Sequence, residues 1–318
     1  MTFLLAKPDI SALRAGNTGT EGVWQFDSGK PGRHVLITAL VHGNEMCGAW
    51  AIKMLLEAGV RPVAGQLTLA LCNLAAFDCF DPEQHDASRF VDEDMNRVWS
   101  PAKLSMRNTL EQRRAAALLP FIERADWLLD LHSMHEPGAP LLLTGLLPRN
   151  LDLAQKIGAP GHVIVDAGHQ DGVRLRDFGQ WGIDKAQDAC ALLIECGFHG
   201  DVSSKLVAVD MVARFLSTSG AVELGELPGQ IPPTWLQPVP EKQKIVKVTD
   251  ALVARSGQLH FVQNWQGLQT VPQKGTLIAI DGEAEFVTPY DDCTLVMPSL
   301  RQLRAGVTVL RFAQPFKI

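Results

Sequence analysis

The chain has 318 residues, of which 46% are hydrophobic and 20% are charged, and its formal net charge is −6. This composition is typical of a globular protein with a sizeable core, built as one large domain or as one large and one small domain. The acidic balance excludes a basic surface for nucleic acid or anionic lipid, and no apolar run is long enough to span a bilayer.

The first residues and the cysteines indicate the cellular compartment in which we expect the protein. The N-terminal sequence MTFLLAKPDI lacks the basic segment of a secretory signal. None of the six cysteines belongs to a CxxC pair, and several lie inside apolar runs. We therefore expect free thiols in a reducing cytoplasm.

Apolar runs typical of buried strands alternate with stretches of helical spacing in the first two thirds of the chain. The predicted strands are 34–41, 67–73, 126–132, 162–166 and 190–195, and the predicted helices are 45–59, 107–124 and 201–217. Near-continuous apolar strands that alternate with helices predict an α/β fold, with a mostly parallel sheet sandwiched by helices.

The pattern changes after about residue 220. The stretch LGELPGQIPPTWLQPVPEKQ contains five prolines and is typical of a linker. Beyond it, 243–318 holds short strand candidates separated by Gly, Pro and Asp. We therefore predict two domains, an α/β domain over 1–225 and a smaller, mostly β domain over 226–318.

Two histidines stand at the ends of predicted strands. His42 ends the run ITALV and is followed three residues later by Glu45, and His132 ends the run DWLLDL. Ligands bind at the carboxyl ends of parallel strands, and two His nitrogens with one carboxylate suit a catalytic Zn²⁺ that keeps a position open for water. Asp130 could accept the second N–H of His132. His135, in the following loop, is the alternative third ligand.

Two further polar features point to chemistry. The segment ASRFVDEDMNRVWS, residues 87–100, gathers charge that is otherwise sparse in this chain, including Arg89 and Arg97. Arginine suits carboxylate recognition and the stabilisation of an oxyanion. Glu195 ends the buried run ALLIE, where a carboxylate is a candidate general base.

Four motifs occur in an order that resembles the succinylglutamate desuccinylase/aspartoacylase family: HGNE at 42–45, RFVDEDMNR at 89–97, DLHS at 130–133 and IECG at 194–197. The resemblance implies a zinc carboxypeptidase-like α/β domain followed by a smaller β domain. It also implies hydrolysis of an N-acyl amino acid, a small molecule, to a carboxylate and a free amino acid. The family includes dimers, so a homodimer is compatible with it.

The resemblance implies a role for each matching residue. His42, Glu45 and His132 match the ligands of one zinc ion per chain. Glu195 matches the carboxylate that takes a proton from the zinc-bound water and passes it to the leaving amine, and Arg89 matches the arginine that polarises the carbonyl. The remaining matches are Asn96 and Arg97, which would hold the amino-acid carboxylate, and Asp94, an acidic residue that orients the site.

The chain departs from aspartoacylase at the substrate contacts. Tyr290 is the only tyrosine and the one candidate for the tyrosine contacts of that enzyme, and Lys185 stands where an upstream arginine is expected. Other candidate contacts are Arg174, Arg176 and His199. These differences leave the acyl group and the amino acid open.

Other functions share parts of this pattern. A zinc carboxypeptidase, or an amidase or esterase acting on another small acyl compound, would use the same metal set. A non-catalytic metal-binding protein would keep the fold, although every expected catalytic position is filled here. A structural zinc would require four Cys or His ligands.

Overall fold

The computed structural model describes residues 2–169, 171–183 and 188–316. The helices and strands of the first two thirds of the chain are β1 (Val23–Asp27), β2 (His34–Ala39), α1 (Met46–Glu57), β3 (Gln66–Leu71), α2 (Leu74–Asp78), α3 (Pro101–Met106), α4 (Leu110–Ile122), β4 (Trp127–Met134), β5 (Leu141–Leu143), α5 (Pro148–Ile157), β6 (His162–Val165), β7 (Cys190–Phe198) and α6 (Val202–Ser219).

All five predicted strands and the three predicted helical regions are present. The predicted helix over 107–124 begins only at Leu110, because Arg107 has a left-handed backbone (φ 52°) and ends α3. Thr109 then caps α4 by accepting a hydrogen bond from the Gln112 amide. The short strands β1 and β5 and the helices α2, α3 and α5 were not predicted.

Strands β3, β2, β4 and β7 run parallel and lie side by side, in that order, within an eleven-stranded sheet of the described residues, next to the edge strand β1. Alternate residues of a strand point to opposite faces, so Val35 and Ile37 join the core that contains α1 and α6, whereas Leu36 joins the core that contains α4. Helices therefore cover both faces of the sheet, as predicted for an α/β fold.

The C-terminal part is antiparallel and largely β. Its strands are β8 (Lys244–Val253), β9 (His260–Phe261), β10 (Thr270–Val271), β11 (Leu277–Asp281), β12 (Ala284–Val287), β13 (Cys293–Val296) and β14 (Thr308–Pro315). Strand β8 pairs parallel with β6, and β14, β13 and β10 then extend the same sheet, while β9, β11 and β12 form a separate three-stranded sheet. The division into domains at 225/226 stays a prediction, since one sheet runs through both parts.

The six cysteines are free, and all but Cys79 are buried. Within the described ranges, no helix combines the length and the apolar character needed to cross a membrane.

Candidate metal and catalytic site

A buried group that could hold a metal ion forms where the chain leaves β2 and β4. After β2 ends at Ala39, Leu40 adopts a left-handed backbone (φ 57°), and the turn that follows brings His42 and Glu45 back to the sheet. His132 lies inside β4, two residues before its end. One ligand atom from each of His42, Glu45 and His132 lies within 4.8 Å of the others.

Both histidines use Nδ1 toward the shared carboxylate. The Nδ1 atom of His42 lies 2.8 Å from Oε1 of Glu45, and the Nδ1 atom of His132 lies 2.8 Å from Oε2 of the same residue. Burial disfavours the Glu45 carboxylate, but the two histidines outweigh it and hold the pKa of Glu45 well below its usual range. The three ligands converge on one point and fit a divalent ion with an open position.

The outer nitrogen of each histidine faces a carboxylate. The Nε2 atom of His132 lies 2.8 Å from Asp130, and the Nε2 atom of His42 lies 2.9 Å from Asp94. Such partners fix the ring orientation and the tautomer of a metal-ligating histidine. Burial opposes the charged form of His132, yet Asp130 and Glu45 raise its pKa well above the usual value.

His135, the alternative ligand, lies outside this group. Its Nε2 atom is 3.2 Å from Nη1 of Arg89, and its Nδ1 atom is 3.0 Å from Asp86. The ring centroids of His199 and His135 lie 4.8 Å apart. His199 is fully buried and contacts the hydroxyl of Ser133. The geometry therefore supports His132 as the third ligand and gives no support to a substrate contact by His199.

Arg89 is fixed beside the metal-binding group by two carboxylates. Its Nη2 atom lies 3.1 Å from Asp94 and its Nη1 atom 3.4 Å from Glu45. These partners outweigh burial and raise the pKa of Arg89, so the guanidinium stays charged. Its side chain lines the same cleft as His42 and His132.

Glu195 stands next to His132, its register partner on the neighbouring strand β7. It lies within β7 and is 8% exposed, and its Oε2 atom has no hydrogen-bond partner among the described residues. Burial and the Glu45 carboxylate raise the pKa of Glu195 to about 8, despite the opposing charges of His132 and Arg89. A carboxylate that titrates near neutral pH inside a cleft is suited to acid–base work.

Asn96 and the guanidinium groups of Arg97 and Arg174 line the cleft. The Asn96 side-chain oxygen accepts a hydrogen bond from the Leu175 amide, and Arg97 donates to Asp171 through Nε at 2.9 Å. The Arg174 guanidinium is held by Asp166 and Asp177, which leaves it neutralised, and Arg176 does not line the cleft.

The C-terminal part contributes cleft residues that the sequence did not single out. These are Met297, Ser299, Gln302, Arg304, Val307, Thr308 and Arg311. Arg311 is 8% exposed, lies 2.7 Å from Nε2 of His169, and has no carboxylate within ion-pair distance among the described residues. The only signal in the sequence is a single charge inside the apolar strand VTVLRFA, which does not reveal its partner.

Of two predicted substrate contacts, Tyr290 does not line the cleft and Lys185 cannot be placed. The hydroxyl of Tyr290 lies 2.7 Å from Oγ1 of Thr249, and Tyr290 is absent from the described lining, so the geometry gives no support to its predicted role. Lys185 lies outside the described residues.

Comparison with known proteins identifies the relatives. Residues 31–182 match the family model described as the succinylglutamate desuccinylase/aspartoacylase catalytic domain. The succinylglutamate desuccinylase of Burkholderia cenocepacia is 25% identical over 301 residues, which cover 87% of this chain and 81% of that protein. A probable aspartoacylase of Parasynechococcus marenigrum is 30% identical over 172 residues, or 51% of this chain and 52% of that protein.

Solved structures show the same fold. The crystal structure of succinylglutamate desuccinylase from Vibrio cholerae superimposes with a TM-score of 0.66 at 16% identity and covers 93% of this chain and 86% of that chain. Together, the matched catalytic-domain model, the long alignment with a desuccinylase and the common fold support the assignment of this chain to the succinylglutamate desuccinylase/aspartoacylase family.

Proposed function

We propose that the protein is a zinc-dependent hydrolase that cleaves the amide bond of an N-acyl amino acid. One observation carries this proposal: the buried carboxylate of Glu195, whose Oε2 atom has no hydrogen-bond partner among the described residues, stands in register with His132 of the metal-binding group. The named relatives, a desuccinylase and a probable aspartoacylase, support the same class of reaction.

The donor set supports zinc. Two imidazole nitrogens and one carboxylate are typical ligands of catalytic zinc sites. The outer nitrogens of the two histidines are already held by Asp94 and Asp130. Zn²⁺ bound there would supply Lewis acidity toward the scissile carbonyl and would acidify a water molecule.

The chain's own residues would then handle protons and charge. Glu195 would accept the proton of the attacking water and return it to the nitrogen of the leaving amine, which must be protonated before it departs. Arg89, held in place by Asp94 and Glu45, would stabilise the negative charge that develops on the carbonyl oxygen. Asn96, Arg97 and Arg311 would hold the carboxylate of the amino-acid part.

The C-terminal wall favours a small substrate over a peptide. Met297, Ser299, Arg304 and Arg311 close one side of the cleft that contains His42 and Glu195. A peptidase needs an open groove along which a chain can extend, and this wall stands against that requirement.

Elemental analysis of the purified protein, followed by an amine-release assay on N-acyl amino acids and dipeptides, tests the proposal. We expect about one zinc per chain, release from an N-acyl amino acid, and loss of release with a chelator. The variant Glu195→Gln should retain the metal and lose activity, which separates catalysis from metal binding. A protein that binds no zinc, or that releases amine only from dipeptides, would contradict the proposal.

A further inference from the structure

An apolar cavity of about 290 Å³ adjoins the catalytic cleft and is not used by the proposed mechanism. It shares four lining residues with the cleft, Met134, His135, Met297 and Ser299. It therefore begins beside His135, which contacts Arg89.

The cavity is lined mainly by apolar side chains from the C-terminal part. Phe261, Trp265, Leu268 and Leu300 form much of its surface. Trp265 is buried, and its indole N–H donates to the Ile278 carbonyl at 2.9 Å, so its polar atom is satisfied and its ring is free for apolar contact. Such a lining suits an alkyl or aromatic group.

Charge is almost absent from this cavity. Among the described lining residues, Glu136 is the one charged side chain, and it is paired with Arg301 at 2.9 Å. Arg301 also lies 3.3 Å from Asp86, so it joins the C-terminal part to the segment of Asp86 as well as to the loop after β4 that carries Glu136. A carboxylate placed in this cavity would find no unpaired cation among the described lining residues.

Three arginines of the cleft do not line the cavity. Arg97, Arg174 and Arg311 line the cleft but not the cavity. If Asn96 and Arg97 hold the carboxylate of the amino-acid part, the acyl group extends from the scissile carbonyl to the side away from them.

We propose that this cavity is the acyl subsite and that the preferred acyl group is apolar, a medium-length alkyl or an aromatic chain. The inference rests on the proposed function, and it departs from the succinyl group named for the relatives because a succinyl carboxylate would lie unpaired here. The acyl chain would gain affinity by burying its methylene groups against Trp265, Leu268 and Leu300.

The test is a series of N-acetyl, N-butanoyl, N-hexanoyl, N-octanoyl and N-succinyl derivatives of one amino acid. For the zinc-loaded enzyme we expect kcat/KM to rise about threefold per added methylene until the cavity is filled, with the succinyl compound well below the hexanoyl compound. A flat or falling series, or a preference for succinyl, would overturn the inference.

Variants that fill the cavity identify where the chain binds. Ala139 and Asn264 are exposed residues on opposite segments of the lining, and Ala139→Trp or Asn264→Trp should reduce the octanoyl-to-acetyl ratio of kcat/KM by at least about tenfold. Ala102→Trp, at an exposed position on α3, is the matched control and should keep the wild-type ratio. An equal octanoyl-to-acetyl ratio of kcat/KM in all three variants would show that the acyl chain binds elsewhere and would overturn the inference.

A binding measurement separates this inference from the proposed reaction. Calorimetric titration of the metal-free protein with the N-octanoyl and N-acetyl compounds should show tighter binding and a more negative heat capacity change for N-octanoyl, lost in Ala139→Trp. If no compound is hydrolysed but this difference persists, the proposed function fails and the subsite stands. If compounds are hydrolysed without this difference, the subsite fails and the function stands.

Discussion

The Nε2 atom of His132 lies 2.8 Å from Oδ2 of Asp130, two residues earlier on the same face of β4. The other oxygen of Asp130 accepts a hydrogen bond of 2.6 Å from the Thr38 hydroxyl on the neighbouring strand. This relationship holds a proton of His132 on Nε2, so with a metal bound Nδ1 would be the nitrogen that gives its lone pair to the ion.

We expect Asp130→Asn to lower the affinity for zinc about 10- to 100-fold, because the amide no longer fixes the imidazole tautomer. Competition with a metal chelator measures the affinity. Asp27→Asn, on the edge strand β1 and far from the site in the sheet order, should leave it unchanged. Unchanged zinc affinity in Asp130→Asn would show that Asp130 does not orient the ligand.

The free energy of unfolding of the metal-free protein should fall as pH rises from about 4.5 to about 8. The cause is Glu195, whose pKa is about 8 in the folded state. The folded state then holds a proton that the unfolded state has released, so the free energy of unfolding falls by up to about 1.4 kcal/mol per pH unit. Chemical denaturation over this pH range measures the slope. Glu195→Gln should remove this part of the pH dependence of the free energy of unfolding. An identical pH dependence in both proteins would contradict a raised pKa of Glu195.

Arg311→Met should raise KM at least about tenfold, because a charge-assisted hydrogen bond to the substrate is lost. The same change should not lower the free energy of unfolding, since it removes a buried guanidinium without a carboxylate partner among the described residues. Steady-state kinetics and denaturant titration check the two effects. Arg113→Met, on the exposed side of α4, is the control and should change neither quantity. A KM equal to that of the wild type in Arg311→Met would exclude a substrate contact by Arg311.

Tyr290→Phe should leave kcat and KM within about twofold of wild type, because its hydroxyl contacts Thr249 rather than the cleft. Kinetics on the best N-acyl amino acid tests this. A large rise in KM would restore the role that the family resemblance implies for this tyrosine.

Gly43→Ala should destabilise the protein by about 1–3 kcal/mol and disturb metal binding. A Cβ atom at this position would lie 2.3 Å from the Ala76 carbonyl carbon and 2.5 Å from the Ser88 oxygen, both backbone atoms. Thermal unfolding and zinc content report the two effects. Gly257→Ala, where an added Cβ meets nothing within 4 Å, should change neither.

The central strands and the metal-binding group could be predicted from the sequence because their signals are local. The run that leads to His42 is fully buried, and a carboxylate three residues later stands at the start of α1. Asp130 and His132 could be related because a two-residue spacing places side chains on one face of a strand.

Arg311 and the apolar cavity could not be predicted, because they depend on which distant strands become neighbours. Arg311 meets His169 across 142 residues of sequence, and that contact follows from the pairing of β8 with both β6 and β14. The substrate contact of Tyr290 rests on resemblance alone and stays a prediction, and its hydroxyl contacts a threonine of β8.

The continuous sheet has a consequence for how the protein is made. The wall that carries Met297 and Arg311 belongs to β14 and the segments before it, all of which follow the metal-binding residues in the sequence. His42, Glu45 and His132 leave the ribosome before β14, so the cleft stays open on one side until that strand has been made. The wall that would give selectivity is therefore completed later than the set of residues that would bind the metal.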